Sequence, residues 1–407
     1  MISVAEARHS ILAAFTALPA EQVGIDAALG RVLATDLAAR VTQPPLSVSA
    51  MDGYAVRAAD VAKVPATLNI IGEAPAGGLY EGEVGPGETV RIFTGGPLPK
   101  GADTIVIQEN TEREAGADSV KVLESAEHGR YVRKAGLDFN RDDVLLEAGK
   151  VLTARDVGLA AAMNRPWLSV RRKPRVALLA TGDEVMMPGD PLGPSQIVSS
   201  NGLALAAFVT ACGGTPVDLG IARDNASSLR AMIQGAEGAD LLLTTGGVSV
   251  GDHDIVGEVL GEAGLKVDFW QIAMRPGKPL MFGRLGDTPM VGLPGNPVSA
   301  QVCAALFVRP AMEVMLGIAK PEATAEPTAI LGADLGANDR REDYLRARLT
   351  RAGNGELMAM PFELQDSSMM SVFAKSDCLI KRPPNAPAAR EGERVEIIPL
   401  GGGILSI

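Results

Sequence analysis

The hydrophobic pattern divides the chain into a first part of short β-like segments and a later part, from Arg175 on, in which apolar runs alternate with helical periodicity. At the start, Ser3 and Glu6 have the spacing of a capping box. Ile11, Leu12, Phe15 and Leu18 then share a helical face, with Pro19 as a stop. Residues 21–43 carry Gly30–Arg31 and the apolar Val32–Leu33 without chemistry that can be named, and Pro44 and Pro45 impose extended chain. Residues 55–140 read as short strands between glycines, among them Thr89–Phe93 and Thr104–Gln108. A helix is expected from Thr153 to Asn164, and Arg171-Arg172-Lys173-Pro174 has the look of a linker. Beyond it, Val176–Ala180, Val217–Ile221, Leu241–Leu243, Val267–Ile272 and Met290–Leu293 read as strands. Asn201–Cys212, Leu229–Gly235, Ile255–Gly264 and a segment from Pro297 to about Leu316 read as helices, the last with Asn296 as N-cap. From Thr324 the alternating segments Tyr344–Leu349, Cys378–Lys381 and Val395–Pro399 predict a small β domain.

These elements imply a multi-domain α/β plus β protein. Its centre is a three-layer α/β domain with a mostly parallel sheet at 171–323. Around it the pattern places β-rich chain at 46–140, helical and extended segments at 1–45 and 141–170, and a small C-terminal β domain at 324–407. A chain of 407 residues exceeds one ordinary core, in keeping with several domains. No short repeat period is present.

A net charge of −11 argues against nucleic-acid binding through a global basic field. Cys212, Cys303 and Cys378 are widely spaced, so neither a zinc pattern nor a disulfide framework can be drawn. The histidines, His9, His128 and His253, are equally scattered, which leaves oxygen ligands and a hard ion such as Mg²⁺ as the default for any metal. Neither a secretory signal nor an uninterrupted apolar run of spanning length is evident, and the expectation is a cytoplasmic protein without a membrane segment.

The chemistry gathers after the strands. In an open α/β sheet, ligands bind at the carboxyl ends of the strands. Glu184, Asp224, Asp252 and Asp254 all follow strands directly, as do the cations Arg275 and Lys278 and the helix start at Asn296. So many charged groups at one edge favour a site over chance, although each alone is an ordinary turn residue. The stretch Thr244-Thr245-Gly246-Gly247-Val248-Ser249 leads from a strand into a glycine turn that can present bare N–H groups, so Gly246, Gly247 and Ser249 are candidate anion contacts. Several carboxylates beside a phosphate-like ligand require a cation between them, and Glu184, Asp224 and Asp254 are the candidate metal ligands. Arg346 and Ser367 are candidate additions to an anion site, a surface arginine being the commoner reading of Arg346 in isolation. The Walker phosphate loop and the Rossmann glycine fingerprint are absent, and no nucleophile–histidine pair suggests acyl transfer. The residues alone therefore describe an enzyme that handles anions and a phosphate ester with Mg²⁺.

Taken in order, Ser-Ala-Met-Asp-Gly-Tyr-Ala at 49–55, Phe-Thr-Gly-Gly-Pro-Leu-Pro at 93–99, Thr-Gly-Asp-Glu at 181–184, Gly-Gly-Val-Ser-Val-Gly at 246–251, Pro-Gly-Lys-Pro at 276–279 and Gly-Leu-Pro-Gly-Asn-Pro-Val-Ser at 292–299 go further. The chain closely resembles, over essentially its full length, the MoeA family of molybdopterin molybdenumtransferases, akin to the E domain of gephyrin. The resemblance implies molybdenum cofactor biosynthesis: molybdate is inserted into adenylylated molybdopterin with release of AMP and help from Mg²⁺. It also implies that 1–45 and 141–170 form one extended helical linker domain, that 324–407 is a small β-barrel-like domain, and that the protein is a homodimer whose cleft is shared between subunits. The upstream molybdopterin adenylyltransferase and apo-molybdoenzymes are further partners to expect, with no nucleic acid or membrane. Carried over motif by motif, Asp52, Thr94, Glu184, Asp224 and Asp254 are the implied catalytic residues. Asp138 is an implied substrate contact, as are Lys278, Asn296, Arg346 and Ser367. Arg275 stands where Lys is common, Gln271 where some members have Lys, and His253 where a Glu is expected.

Two other readings of the same fold compete. One is an adenylyl transferase for the preceding step, whose stand-alone members lack the flanking domains that fill more than half of this chain. The other is a gephyrin-like scaffold that binds partner peptides; such a scaffold could lose its acids, and here they are intact.

Overall fold

The computed structural model describes residues 1–246, 261, 264–319, 327–353 and 355–401. The chain forms two compact units, Met1–Thr35 with Ala148–Arg155 and Leu168–Ile407, and Asp36–Glu147 with Asp156–Trp167. The first helix, α1 (Val4–Ala13), starts in the expected capping box: the Ser3 hydroxyl accepts from the Glu6 N–H and the Glu6 side chain accepts from the Ser3 N–H.

The second unit is built on β1 (Gly53–Val56), β2 (Ala66–Ala74), β3 (Glu88–Ile92), β4 (Thr104–Ile107), β5 (Thr111–Glu112) and β6 (Ser119–Val122). They form one sheet in the order β4-β1-β3-β2-β6-β5, antiparallel except for the β2–β3 pair. Tyr54, Val56, Val106 and Val120 pack on one side of this sheet, and Ala55, Val90, Ile92 and Ile105 on the other. Neighbouring residues alternate between the two cores because strand side chains point to opposite faces. The helix expected near residue 153 is α2 (Ala154–Ala162).

In the first unit, β7 (Arg175–Thr181), α3 (Asn201–Ala211), β8 (Thr215–Ala222), α4 (Ala226–Ile233), β9 (Leu241–Thr245), β10 (Leu265–Trp270), β11 (Met281–Leu285) and β12 (Thr288–Leu293) form the α/β domain. The sheet order is β8-β7-β9-β12-β11-β10, with β8, β7, β9 and β12 parallel and the β12–β11–β10 edge antiparallel. All five residues of β9 are buried, as a central parallel strand covered on both faces requires. Val176, Leu178, Leu241, Leu243, Val291 and Leu293 face one core, while Ala177, Leu179, Leu242 and Met290 face the other, against Leu229 and Ile233 of α4. The first core is filled by α1 and by the helix α5 (Pro297–Met315), which is long and apolar enough to cross a membrane but has 83% of its most apolar window buried inside the protein. Pro310 interrupts the amide ladder of α5, and the turn before it, Ala304–Val308, widens into a π-helix.

The C-terminal part carries β13 (Thr328–Leu331), β14 (Glu342–Arg351), β15 (Leu357–Pro361), β16 (Cys378–Arg382) and β17 (Arg394–Pro399). Their pairing runs β14-β15-β13-β17-β16 and returns from β16 to β14, closing a five-stranded barrel. Its interior holds Ala329, Leu331, Ala347, Ala359, Ile380 and Ile397. Met274–Arg275 pairs in parallel with Glu342–Asp343, tying the α/β domain to the barrel.

Candidate functional site

The loops that leave β7, β8 and β9 are packed against one another by glycine. Gly246 ends β9 at φ +84°, and a Cβ there would stand 2.5 Å from the Thr181 carbonyl oxygen at the end of β7. Gly182 follows at φ +137°, and the Glu184 carboxylate folds back so closely that a Cβ would meet it at 2.6 Å. The Asp224 N–H donates to Oδ1 of Asp183 at 3.3 Å, and Nη1 of Arg223 donates to the Asp183 carbonyl at 3.3 Å. Asp183, Glu184 and Asp224 thus form an acidic group after β7 and β8. Burial, together with the charges of Asp183 and Glu184, raises the Asp224 carboxyl above its ordinary value, against a lowering backbone hydrogen bond from Asp183.

A cavity of about 600 Å³ opens at this edge, and Thr181, Glu184, Asn201, Gly246, Asn296 and Ser368 are among its walls. Its size is that of a small-molecule site. The start of α5 borders it, so N–H groups at a helix N-terminus are close to any ligand. Asn296 occupies the N-cap position, but its side chain makes no capping bond there, which corrects the capping role expected from sequence. Its Nδ2 instead donates to Oγ of Ser367 at 2.8 Å, while the Ser367 carbonyl accepts the Val298 N–H at 3.1 Å. The barrel loop has taken over the cap.

Arg346 lies behind that loop. It is not a surface residue: only 1% of it is exposed, and it is among the largest fully buried side chains. On β14 it shares a face with Tyr344, two residues away, which packs in the α/β core on the side opposite the barrel interior that holds Ala347. Nη2 donates to the Asp366 carbonyl at 3.2 Å, and Nε has no partner among the described residues. Burial lowers the affinity of this guanidinium for its proton, opposed by the charge of Asp366. Asp366 accepts from both the N–H and the hydroxyl of Ser368 at 2.8 and 2.5 Å, which holds its carboxyl below the usual range.

Arg275 is placed differently from Lys278. Its guanidinium pairs with the buried Asp343, reaches Asp339 at 3.6 Å and is thereby turned toward the barrel. Lys278 is exposed, and its carbonyl accepts the N–H groups of Ile272 and Leu280 at 3.0 Å each. Gln271 holds φ +75°, a left-handed conformation uncommon for a residue with a side chain. Gly247, Ser249, Asp252, His253 and Asp254, and the helix expected at Ile255–Gly264 apart from Gly261 and Gly264, lie outside the described residues.

In the second unit, the loops flanking β1 and β3 bring Asp52 and Thr94 together. Oδ1 of Asp52 accepts from the Thr94 N–H at 2.7 Å and from its hydroxyl at 2.8 Å. These two bonds, helped by the charge of Arg91, hold the Asp52 carboxyl below its ordinary value. Asp138 is exposed on a separate turn, where its N–H donates to the Gln43 carbonyl at 3.0 Å. The structure therefore brings Glu184, Gly246 and Asn296 to one cavity, with Asp224 beside Glu184, Ser367 bonded to Asn296 and Arg346 bonded to the loop that carries Ser367, and within the second unit it pairs Asp52 with Thr94. Asp183, Asn201, Asp366 and Ser368 join the site without having been singled out. The Asp366-Ser367-Ser368 run, an Asx-type turn, carries a local signal for Asp366 and Ser368, and Asp183 lies within the Thr-Gly-Asp-Glu motif.

Three family models match the chain: the MoeA N-terminal region (domain I and II) at residues 2–164, the "Probable molybdopterin binding domain" at 177–314, and the MoeA C-terminal region (domain IV) at 328–400. A relative from Nostoc sp. named molybdopterin molybdenumtransferase is 38% identical over 333 residues, covering 80% of this chain and 76% of its own length. A relative of the same name from Haemophilus influenzae is 33% identical over 381 residues, covering 93% of each chain. The crystal structure of the molybdopterin biosynthesis moea protein from Pyrococcus horikosii superposes with a TM-score of 0.84 at 30% identity, covering 99% of this chain and 100% of that one.

Proposed function

The chain belongs to the MoeA family of molybdopterin molybdenumtransferases, enzymes of molybdenum cofactor biosynthesis that insert molybdenum, and on that premise we propose that it acts on adenylylated molybdopterin and molybdate, releasing AMP with Mg²⁺ assisting. The observation that carries this reading is the cavity of about 600 Å³ at the carboxyl ends of β7 and β9, with an acid on one wall and a helix N-terminus on another. N–H groups and the hydroxyls of Thr181 and Ser199 would receive the phosphates. The Ser367 loop, backed by the buried Arg346 guanidinium, would position molybdate, an oxyanion suited to forked N–H donors.

The donor set fits Mg²⁺. Asp183, Glu184 and Asp224 are hard oxygen donors; burial first, and the charges of Asp183 and Glu184 after it, lift the Asp224 carboxyl, and a cation would relieve both. Among the described residues no three such side chains converge into a protein-only metal cage. Mg²⁺ ordinarily takes only one or two carboxylates and completes its shell with water and substrate phosphate. Glu184 and Asp224, with Asp254 beyond the described residues, are the proposed ligands. When bound, the ion would shield the negative charge of the phosphoanhydride.

We further infer that the protein works as a homodimer, with Asp52 and Thr94 of one subunit serving the cavity of the other. The support is that these residues carry site-like chemistry in a separate compact unit. Purified protein mixed with adenylylated molybdopterin, Mg²⁺ and molybdate should release AMP, and omission of molybdate or Mg²⁺ should stop it. Mixed dimers of Asp52→Ala and Glu184→Ala subunits should recover activity at one cleft. No AMP from folded protein under these conditions would remove the proposed reaction, and inactive but well-folded mixed dimers would remove the shared cleft.

A further inference from the structure

The Asp52–Thr94 pair hangs on two loops tied by their backbones at Ser49, whose N–H donates to the Gly96 carbonyl and whose carbonyl accepts the Gly95 N–H, at 2.9 Å each. A side chain from β3 adds a second tie. Strands β1 and β3 run antiparallel with Gly53 opposite Ile92 and Tyr54 opposite Arg91. Residues two apart share a face, so Tyr54, Arg91 and Phe93 stand together on one side of the sheet. The guanidinium carbon of Arg91 lies 5.0 Å from the ring centroid of Tyr54 and 5.0 Å from that of Phe93. From there Nη1 donates to the Gly53 carbonyl at 3.0 Å and Nη2 to Oε1 of Gln108 at 2.6 Å. Gln108 in turn donates its own N–H to the Asp52 carbonyl at 3.1 Å. One side chain thus touches the residue after Asp52, the residue before Thr94, and the residue whose amide holds the Asp52 backbone.

We propose that Arg91 is a positioning residue for the transfer reaction: clamped by two aromatic rings, it fixes the paired loops so that Thr94 meets Oδ1 of Asp52 and the second carboxylate oxygen is left to substrate. A lysine could keep the charge but not the fork that reaches two acceptors at once. The rings hold a cation in place at little desolvation cost, which suits a half-buried position. The charge of Arg91 also adds to the effect of Thr94 on the Asp52 carboxyl.

This rests on the reading that Asp52 works in the reaction, and the test separates the two. In full-length Arg91→Met and Arg91→Lys enzymes, with folding checked by thermal unfolding, turnover and KM for adenylylated molybdopterin are followed across pH. The titration of the Asp52 carboxyl is followed by isotope-labelled aspartate resonances assigned with Asp52→Asn. Arg91→Met should lose roughly tenfold or more in kcat, within the range that misplacing a reacting group costs, with KM nearly unchanged. Its acid limb and the Asp52 titration should both move to higher pH. Arg91→Lys should restore the limb but only part of kcat. Wild-type kcat and titration in Arg91→Met would overturn the proposal. So would equal losses in both variants with the acid limb and titration unmoved, because that is what a general structural role gives. Full turnover in Asp52→Asn would instead defeat the assigned use of Asp52, while the titration in Arg91→Met would still judge the clamp.

Discussion

Gly246→Ala tests the packing of the site's floor. Two costs are legible. An L-residue at φ +84° enters the left-handed region, at about 1–2 kcal/mol. Its Cβ would also stand 2.5 Å from the Thr181 carbonyl oxygen, an atom of buried backbone at the end of β7, which pairs with β9 up to Ala180 and Thr245. That oxygen can move only by spreading two central strands, an overpacking strain of about 1–3 kcal/mol. The sum, about 2–5 kcal/mol, is a large part of the roughly 5–15 kcal/mol that stabilises an ordinary domain. Gly286→Ala in the same sheet is the control: it shares the left-handed conformation at φ +58° but has nothing within 4 Å of the added carbon, so only the first cost applies. Urea unfolding followed by the fluorescence of Trp270 on β10, in a Trp167→Phe background that removes the second tryptophan, compares the two variants. Gly246→Ala should unfold at distinctly lower urea than Gly286→Ala and lose turnover, because Gly246 lines the cavity. Equal midpoints for the two variants would refute the clash and the packed floor with it.

Three further outcomes are expected. Arg275→Met leaves Asp343, whose side chain is 6% exposed, buried without its counter-charge, and should cost up to about 3 kcal/mol, more than Asp343→Asn; equal urea midpoints would contradict the pairing as drawn. The Asp224 carboxyl, held above its ordinary value, contributes stability below the unfolded value near 3.8 that fades as pH rises through the folded value, so Mg²⁺ should pull its titration down. A titration midpoint indifferent to Mg²⁺ would remove Asp224 from the metal. Asp339, held down to about 2 by hydrogen bonds from Arg341, contributes stability that is complete above the unfolded value of 3.8 and lost as pH falls toward about 2. Asp339→Asn should flatten that acid limb in urea midpoints measured against pH, and an unchanged limb would count against the bond.

The parallel core was readable because buried strands announce themselves. β7, β8, β9 and β12 appear as apolar runs ending in turn residues, and all four were expected within a few residues of their observed bounds. Met281–Leu285 was not expected, since Gly283 and Arg284 break the run and its partner lies beyond a two-residue turn. The burial of Arg346 shows a different failure. Alternation along Tyr344–Leu349 puts it with Tyr344 on the face opposite the barrel interior, which reads as solvent-facing until the α/β core covers it, and what offsets the cost of burying the guanidinium is a carbonyl twenty residues on. The Asn296–Ser367 bond spans 71 residues and joins two domains, so no local pattern could supply it. The acids after β7 and β8 were legible as turn residues at one sheet edge, whereas their mutual repulsion depends on distances only the fold sets.

The borrowed cap on α5 bears on how such a chain could be taken apart or recombined. With its carbonyl on Val298 and its hydroxyl on Asn296, Ser367 makes the barrel a finishing piece of the central domain rather than a detachable module. A truncated or swapped version lacking the barrel would inherit a helix whose first amide donor has lost its acceptor and a binding hollow short of one wall. A replacement module would have to bring its own loop carbonyl to the same helix end.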